Sequence, residues 1–157
     1  MESPNRAMRH TDDSSADVTC KMKGSAEFTW KVRVYYEDTD LGGVVYHANY
    51  LRFMERARTE WLRALGFEQD MLRDHHSVQF VVVNADLQFR YPARFNDELT
   101  VSVAVKKHTA ASMTFHQEVR GPAGGALCTG EIRVACIDSD TFRPRPVPDE
   151  IKREFGE

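Results

Sequence analysis

The sequence lacks a long hydrophobic run, an excess of charge of one sign, and a paired set of cysteines. No apolar stretch in its 157 residues approaches the roughly 18 residues that suggest a membrane-spanning helix. The formal net charge is -3, which gives no whole-chain reason to expect binding to nucleic acid or to anionic membranes. These absences predict one ordinary globular domain, and the length is sufficient for a single sizeable core.

The few cysteines show no pairing pattern. Cys20, Cys128 and Cys136 are odd in number and form no CxxC motif. We therefore predict reduced thiols in a cytoplasmic protein, with neither a disulfide nor a metal site. The adjacent His75 and His76 lack cysteine or glutamate at ligand spacing, so we interpret them as exposed loop residues.

The N-terminal end differs in composition from the remainder. Residues 1–27 contain few large apolar side chains and mix charged residues with serine, threonine and aspartate. The segment has no apolar core of a secretory signal, and its acidic residues argue against a transit peptide. We predict a flexible leader over 1–27, a globular domain over 28–142 and a C-terminal extension over 143–157.

Hydrophobic periodicity predicts one long helix among five strands. The run FTWKVRVYY, which starts at Phe28, alternates apolar and polar residues as in a strand with one buried face. Residues 50–65 follow a helical period instead, and Gly66 is the predicted C-terminal stop. The apolar stripe of this helix comprises Tyr50, Phe53, Met54, Ala57, Trp61 and Leu65. Further strands are predicted over 79–91, 99–107, 112–119 and 126–137.

The order of these elements indicates an α+β fold. A strand, a long helix and then four strands joined by short turns suggest an antiparallel five-stranded sheet wrapped around one central helix. Because the edge strands of such a sheet expose unpaired backbone groups, a dimer with a continuous sheet is expected. The terminal segment DEIKREF is predicted to form a short helix after an extended RPRPVP.

The stretch YEDTDLGGVVYHANY, residues 36–50, places acids, glycines and a histidine where the long helix must begin. No serine, threonine or aspartate immediately precedes Ala48, so we expect weak side-chain capping. Free amides at a helix start can hold the oxyanion that forms when a carbonyl is attacked, and the helix dipole assists them. Asp40 could then act as a base or a nucleophile, or it could be a turn residue beside Gly42 and Gly43.

The run DTDLGGVVYHANYLRFMERARTEWL resembles the signature of hotdog-fold thioesterases of the 4-hydroxybenzoyl-CoA thioesterase family. Within that family the likeness is greatest to the acyl-CoA thioesterases associated with the Tol-Pal system, and it extends from about Trp30 to about Ile137. The resemblance implies a hotdog fold and hydrolysis of acyl-CoA thioesters without a bound cofactor or metal. A homodimer or a tetramer of dimers is expected, and acyl carrier protein stays open as a second partner.

The resemblance also assigns roles by position. Asp40 matches the family's catalytic acid, and His47 matches the residue whose helix-start amide polarises the thioester carbonyl. The loop between them supplies the expected substrate-binding residues Gly43, Val44, Val45 and Tyr46. The family's basic cluster for the CoA phosphates is not reproduced, and the expected phosphate contacts are Arg90, Arg94, Lys106 and Lys107.

Some alternatives remain open at this point. A non-catalytic binding module for acyl-CoA or acyl carrier protein would keep the helix-start site and discard the role of Asp40. Glu55 could be a helix-borne catalytic acid, although an ion pair with Arg52 or Arg58 at i, i+3 is the expected role. An acyl slot and an ordinary core are both consistent with the apolar strand residues Phe80, Val82 and Phe89.

Overall fold

The computed structural model describes residues 27–155, and it confirms an α+β fold. The strands are β1 (Phe28–Arg33), β2 (Val78–Phe89), β3 (Glu98–His108), β4 (Ser112–Arg120) and β5 (Ala126–Asp138). The helices are α1 (Asn49–Ala64), α2 (Gln69–His76) and α3 (Asp149–Lys152), with 3₁₀ turns at Tyr36–Asp38 and Arg153–Phe155. The leader predicted over 1–27, including Cys20, lies outside the described residues except for Glu27.

One antiparallel sheet carries all five strands in the order β1-β3-β4-β5-β2, so β1 and β2 are its edges. β1 ends at Arg33, three residues before the predicted end, because Tyr36 already belongs to a 3₁₀ turn and is 84% exposed. β2 is irregular in register between Val82 and Asn84. Val82 and Val83 are each 53% exposed at this edge.

The 16-residue helix α1 packs across the inner face of the sheet, as the apolar stripe predicts. Phe53, Met54 and Ala57 are fully buried, and Gly66 ends the helix with a φ of 93°. The approach to the sheet is close, since a Cβ added at Gly130 of β5 would lie 3.0 Å from the Met54 sulfur. The buried face also includes Arg58, which the stripe did not predict.

A second helix, α2, lies between α1 and β2, where the sequence predicts no helix. The interpretation of His75 and His76 as loop residues is therefore wrong, although both are exposed as predicted. Both histidines occupy the last turn of α2, where cationic side chains complement the helix dipole. Ser77 ends the helix in the left-handed region with a φ of 54°. Only Leu72 of α2 is buried, so the segment has almost no periodic apolar signal for a sequence analysis to find.

The C-terminal segment packs on the domain rather than extending away from it. Val147 is 2% exposed and Ile151 is fully buried in the core. Phe155 stacks on Trp61 of α1 with a ring separation of 5.7 Å and an interplanar angle of 15°. The predicted short helix in DEIKREF is confirmed as α3 followed by a 3₁₀ turn. Within residues 27–155, no helix has the length and apolar character needed to span a membrane.

Candidate active site

The loop that leads into α1 is fixed by Asp38, the first acid of the DTD motif. Its main-chain oxygen accepts hydrogen bonds from the Tyr46 amide and from Asn49 Nδ2, both at 2.9 Å. Its carboxylate accepts a hydrogen bond from the Tyr35 amide at 2.8 Å. Asp38 is only 7% exposed, so its contacts are structural and hold the loop against the helix start.

Asp40, the second acid of the motif, is exposed and belongs to a tight turn. Its Oδ1 accepts a hydrogen bond from the Gly42 amide at 2.8 Å, and its own amide donates to the Val44 carbonyl at 2.9 Å. Gly43 completes the turn with a φ of 73°, a conformation in which a side chain is strained. Within residues 27–155, Asp40 Oδ2 has no hydrogen-bond partner, so this oxygen is free to meet water or a ligand.

The start of α1 offers free backbone donors. The N-cap residue Ala48 supplies no side-chain cap, as the sequence predicts. The amides of Val45, Tyr46 and Asn49 donate to main-chain carbonyls at 2.8–2.9 Å. Across the part of the chain that the structure describes, the amides of His47 and Ala48 have no protein acceptor. These donors lie where the helix dipole is positive, so they can stabilise a negatively charged oxygen.

The ring of His47 is exposed and lies among aromatic side chains. Its centroid is 4.5 Å from that of Tyr46 and 6.3 Å from that of Phe89 at the end of β2. Phe89 in turn meets the Tyr50 ring edge-on at 5.6 Å. Burial raises the pKa of the Tyr50 phenol, whose oxygen accepts a hydrogen bond from the Ala93 amide at 3.0 Å. An apolar wall therefore borders the free amides of the helix start.

Two of the expected phosphate contacts lie in the β2–β3 connection beside this loop. Arg94 pairs with Val44 in an isolated antiparallel bridge, and the neighbouring Ala93 carbonyl accepts the Val45 amide at 2.8 Å. Arg90 follows the last residue of β2 and has an exposed side chain. The loop that carries Asp40 and the connection that carries Arg90 and Arg94 are thus neighbours.

Lys106 and Lys107 lie elsewhere in the chain. β3 begins at Glu98, which pairs with the end of β1, and both lysines are near its opposite end. Lys106 is the eighth residue after Glu98 along β3, which places it about 26 Å away at the usual rise. Lys106 forms an ion pair with Glu131 of β5. Within one chain, the fold does not bring these lysines to Asp40 and His47.

The ion pair expected for Glu55 does not form. Its Oε1 accepts a hydrogen bond from Thr59 Oγ at 2.9 Å, and no basic side chain within residues 27–155 lies within salt-bridge distance. Arg58 turns the other way, into the interior, and donates to Gln117 of β4 at 2.8 Å. The prediction fails because i, i+3 spacing allows a pair on the helix surface and does not require one.

Two cavities of the domain lie away from the helix start. One of about 300 Å³ is lined by α2 and β2, and one of about 160 Å³ lies between α1, α2 and the sheet. Residues 36–50 contribute to neither cavity. In one chain the side chains of Asp40 and His47 are both exposed, so the candidate site is open to solvent. In the described part of the chain, no three His, Cys, Asp or Glu side chains are grouped to hold a metal ion.

Comparison with known proteins agrees with these features. The model of the thioesterase-like superfamily matches residues 34–155. The acyl-CoA thioester hydrolase YbgC of Escherichia coli O6:H1 is 42% identical over 128 residues, which cover 82% of this chain and 95% of that protein. The acyl-CoA thioesterase YbgC of Haemophilus influenzae is 41% identical, covering 82% of this chain and 93% of that protein.

A solved structure supports the same assignment. The crystal structure of a probable thioesterase from Bartonella henselae superposes with a TM-score of 0.74 and 33% sequence identity. The match covers 78% of this chain and all of that chain. The expected hotdog fold is thereby confirmed. With the family model spanning most of the sequence, this chain belongs to the thioesterase-like superfamily.

Proposed function

We propose that this protein hydrolyses acyl-CoA thioesters to a free carboxylic acid and CoA. Asp40 is the general base or nucleophile, and the amide of His47 at the start of α1 polarises the thioester carbonyl. The observation that carries the proposal is the pair of unsatisfied amides at His47 and Ala48 in the same loop as an exposed carboxylate. The names of the relatives support the acyl-CoA substrate class.

The reaction can proceed from Asp40 by two routes. As a base, the carboxylate removes a proton from water, the resulting hydroxide attacks the carbonyl carbon, and the C–S bond breaks to release the CoA thiolate. As a nucleophile, a carboxylate oxygen attacks directly, the thiolate leaves, and water then hydrolyses the mixed anhydride. On both routes negative charge develops on the carbonyl oxygen, and free helix-start amides stabilise it. The Gly42 amide holds the other carboxylate oxygen in place.

The substrate would lie along the loop of Gly43, Val44, Val45 and Tyr46. We assign the CoA phosphates first to Arg94 and Arg90, because the connection that carries them adjoins this loop. Lys106 and Lys107 can contribute only where a second subunit brings the far end of β3 to the site. Acyl carrier protein is a second candidate acyl donor for the same chemistry.

We also propose that the working unit is a homodimer or a tetramer of dimers. Asp40 is exposed, and within residues 27–155 no strand pairs with the outer edge of β2; both features are consistent with a second copy covering the site. The proposed setting is the cytoplasm, and the two described cysteines, Cys128 and Cys136, are free and buried. Burial raises the pKa of the Cys128 thiol to about 11, so it stays protonated at neutral pH.

Free thiol release from a panel of aromatic, short-chain and long-chain acyl-CoAs tests the proposal. Hydrolysis predicts a linear appearance of CoA thiol with at least one acyl class. A non-catalytic binding module is the competing function, and the engagement of Asp40 with the Gly42 amide as an ordinary turn residue favours it. Saturable binding of acyl-CoA without thiol release would establish that alternative.

A further inference from the structure

A buried arginine of α1, Arg58, forms no ion pair within residues 27–155 and lies away from the candidate active site. Arg58 is 9% exposed, and its one hydrogen bond runs from Nη1 to Oε1 of Gln117 at 2.8 Å. Gln117 is fully buried and neutral, and its Nε2 donates to the carbonyls of Met54 and Ser102. Among residues 27–155, no carboxylate lies within salt-bridge distance of the guanidinium. Buried charges are normally paired, so this one is unusual.

Arg58 lines the cavity of about 160 Å³ between α1, α2 and the sheet. Within residues 27–155, Nη1 is the only guanidinium nitrogen of Arg58 that forms a hydrogen bond. The other nitrogens are accessible from outside, so they can donate to a ligand. Apolar side chains make most of the remaining wall, namely Trp61, Leu62, Phe80, Val82, Met113, Phe115 and Val134. The cavity therefore combines an apolar body with one cationic end. Burial lowers the pKa of Arg58 to about 10, which leaves it protonated at neutral pH.

One carboxylate, that of Glu55, lines the cavity, and its charge raises the pKa of Arg58 against the effect of burial. It forms no ion pair with the guanidinium, since Glu55 is exposed and its Oε1 accepts a hydrogen bond from the Thr59 hydroxyl at 2.9 Å. Gln69 donates to the same hydroxyl at 3.2 Å. A ligand carboxylate oxygen at the guanidinium would supply a directly hydrogen-bonded anion, and charge-assisted bonds to arginine are among the strongest polar contacts.

From this combination we infer that the cavity binds a carboxylate carried on a compact apolar body, with Arg58 as its receptor. An apolar cavity of about 150 Å³ holds one benzene molecule. The volume of about 160 Å³ therefore suits a benzoate-sized ligand. Such a carboxylate can belong to a free acid or to the far end of a bound acyl group. The inference does not depend on the proposed hydrolysis, because it concerns residues outside 36–50.

Tryptophan fluorescence provides a direct test, since the chain has two tryptophans and Trp61 lines the cavity. In a Trp30→Phe background, benzoate and its neutral analogue benzamide would be titrated against the Trp61 signal. We expect benzoate to bind at least about tenfold more tightly than benzamide, as a charge-assisted hydrogen bond requires. Equal affinities for benzoate and benzamide, or no saturable change with benzoate, would overturn the inference. This test requires no substitution of Arg58.

Variants then locate the receptor. Arg58→Met should abolish the preference for benzoate, whereas Arg52→Met, an exposed arginine on the same helix, should preserve it. Val134→Phe should block both ligands by filling the cavity, which keeps the test decisive if Arg58→Met does not fold. Glu55→Gln removes a like charge and should tighten benzoate binding by roughly twofold to fivefold. A benzoate preference that persists in Arg58→Met would contradict the assignment.

The two sources of the carboxylate are separated by kinetics. If the far end of an acyl group occupies the cavity, benzoate should raise the KM of the thioester in the thiol-release assay. If a free acid occupies it, benzoate should saturate the Trp61 signal without raising KM. In both cases Arg58 binds the carboxylate. The two results differ in whether the cavity holds the end of an acyl group or a separate free acid.

Discussion

Asp38 and Asp40 are two residues apart with identical side chains, yet the fold gives them different surroundings. Asp38 is 7% exposed, and its oxygens fix Tyr35, Tyr46 and Asn49. Asp40 is exposed and keeps one carboxylate oxygen without a protein partner. Residue type and spacing cannot separate the two acids, because the difference depends on which carboxylate the loop turns inward. Its place in the loop made Asp40 a candidate base or turn residue, and the resemblance to a known family then favoured the catalytic role.

The role assigned to His47 predicts that its backbone amide, and not its ring, contributes most to catalysis. His47→Ala removes the imidazole and keeps the amide that is proposed to bind the oxyanion. We expect kcat for thiol release to fall by no more than about tenfold, since loss of an oxyanion donor itself costs about a hundredfold to a thousandfold. A loss as large as a thousandfold, in a variant with an unchanged thermal midpoint, would assign the chemistry to the ring instead.

At the scale of elements, the sequence predicts the helices and strands that are long and have a periodic apolar pattern. The stripe of α1 and the alternation of the strands identify the helix and all five strands, with ends that differ by a few residues. The sequence does not predict α2, because this helix has eight residues and buries only Leu72. The sequence also does not predict the contact between Arg58 and Gln117, because it joins residues 59 apart and depends on how α1 lies over β4.

That contact predicts a coupling between α1 and β4. Gln117→Leu leaves the buried Arg58 guanidinium without an acceptor, and we expect the free energy of unfolding to fall by about 1–3 kcal/mol. Arg58→Met in the Gln117→Leu background should cost less than it does alone, because no buried charge is then left unpaired. Urea denaturation of the two single variants and the double variant measures this cycle. Strictly additive changes would show that the two side chains do not depend on each other.

At the scale of the whole molecule, the exposed edge of β2 predicts self-association. Val83 is 53% exposed on this edge strand, where a second copy could extend the sheet. Val83→Glu should shift the protein toward monomer in sedimentation analysis and lower thiol release in parallel, because the proposed site needs cover from a second subunit. Met71→Glu, at a 51% exposed position on α2, is the matched control. A fully active monomer would refute the shared site.

The central claim is that an exposed carboxylate beside free helix-start amides cleaves a thioester, and Asp40→Asn tests it most directly. The asparagine oxygen can still accept the Gly42 amide, so the thermal midpoint should stay close to that of the parent chain. The rate of thiol release under saturating acyl-CoA should fall by at least about a hundredfold, the usual contribution of a general base. Glu37→Gln, at an exposed acid of the same loop, should change it little. Near-normal release by Asp40→Asn would contradict the account.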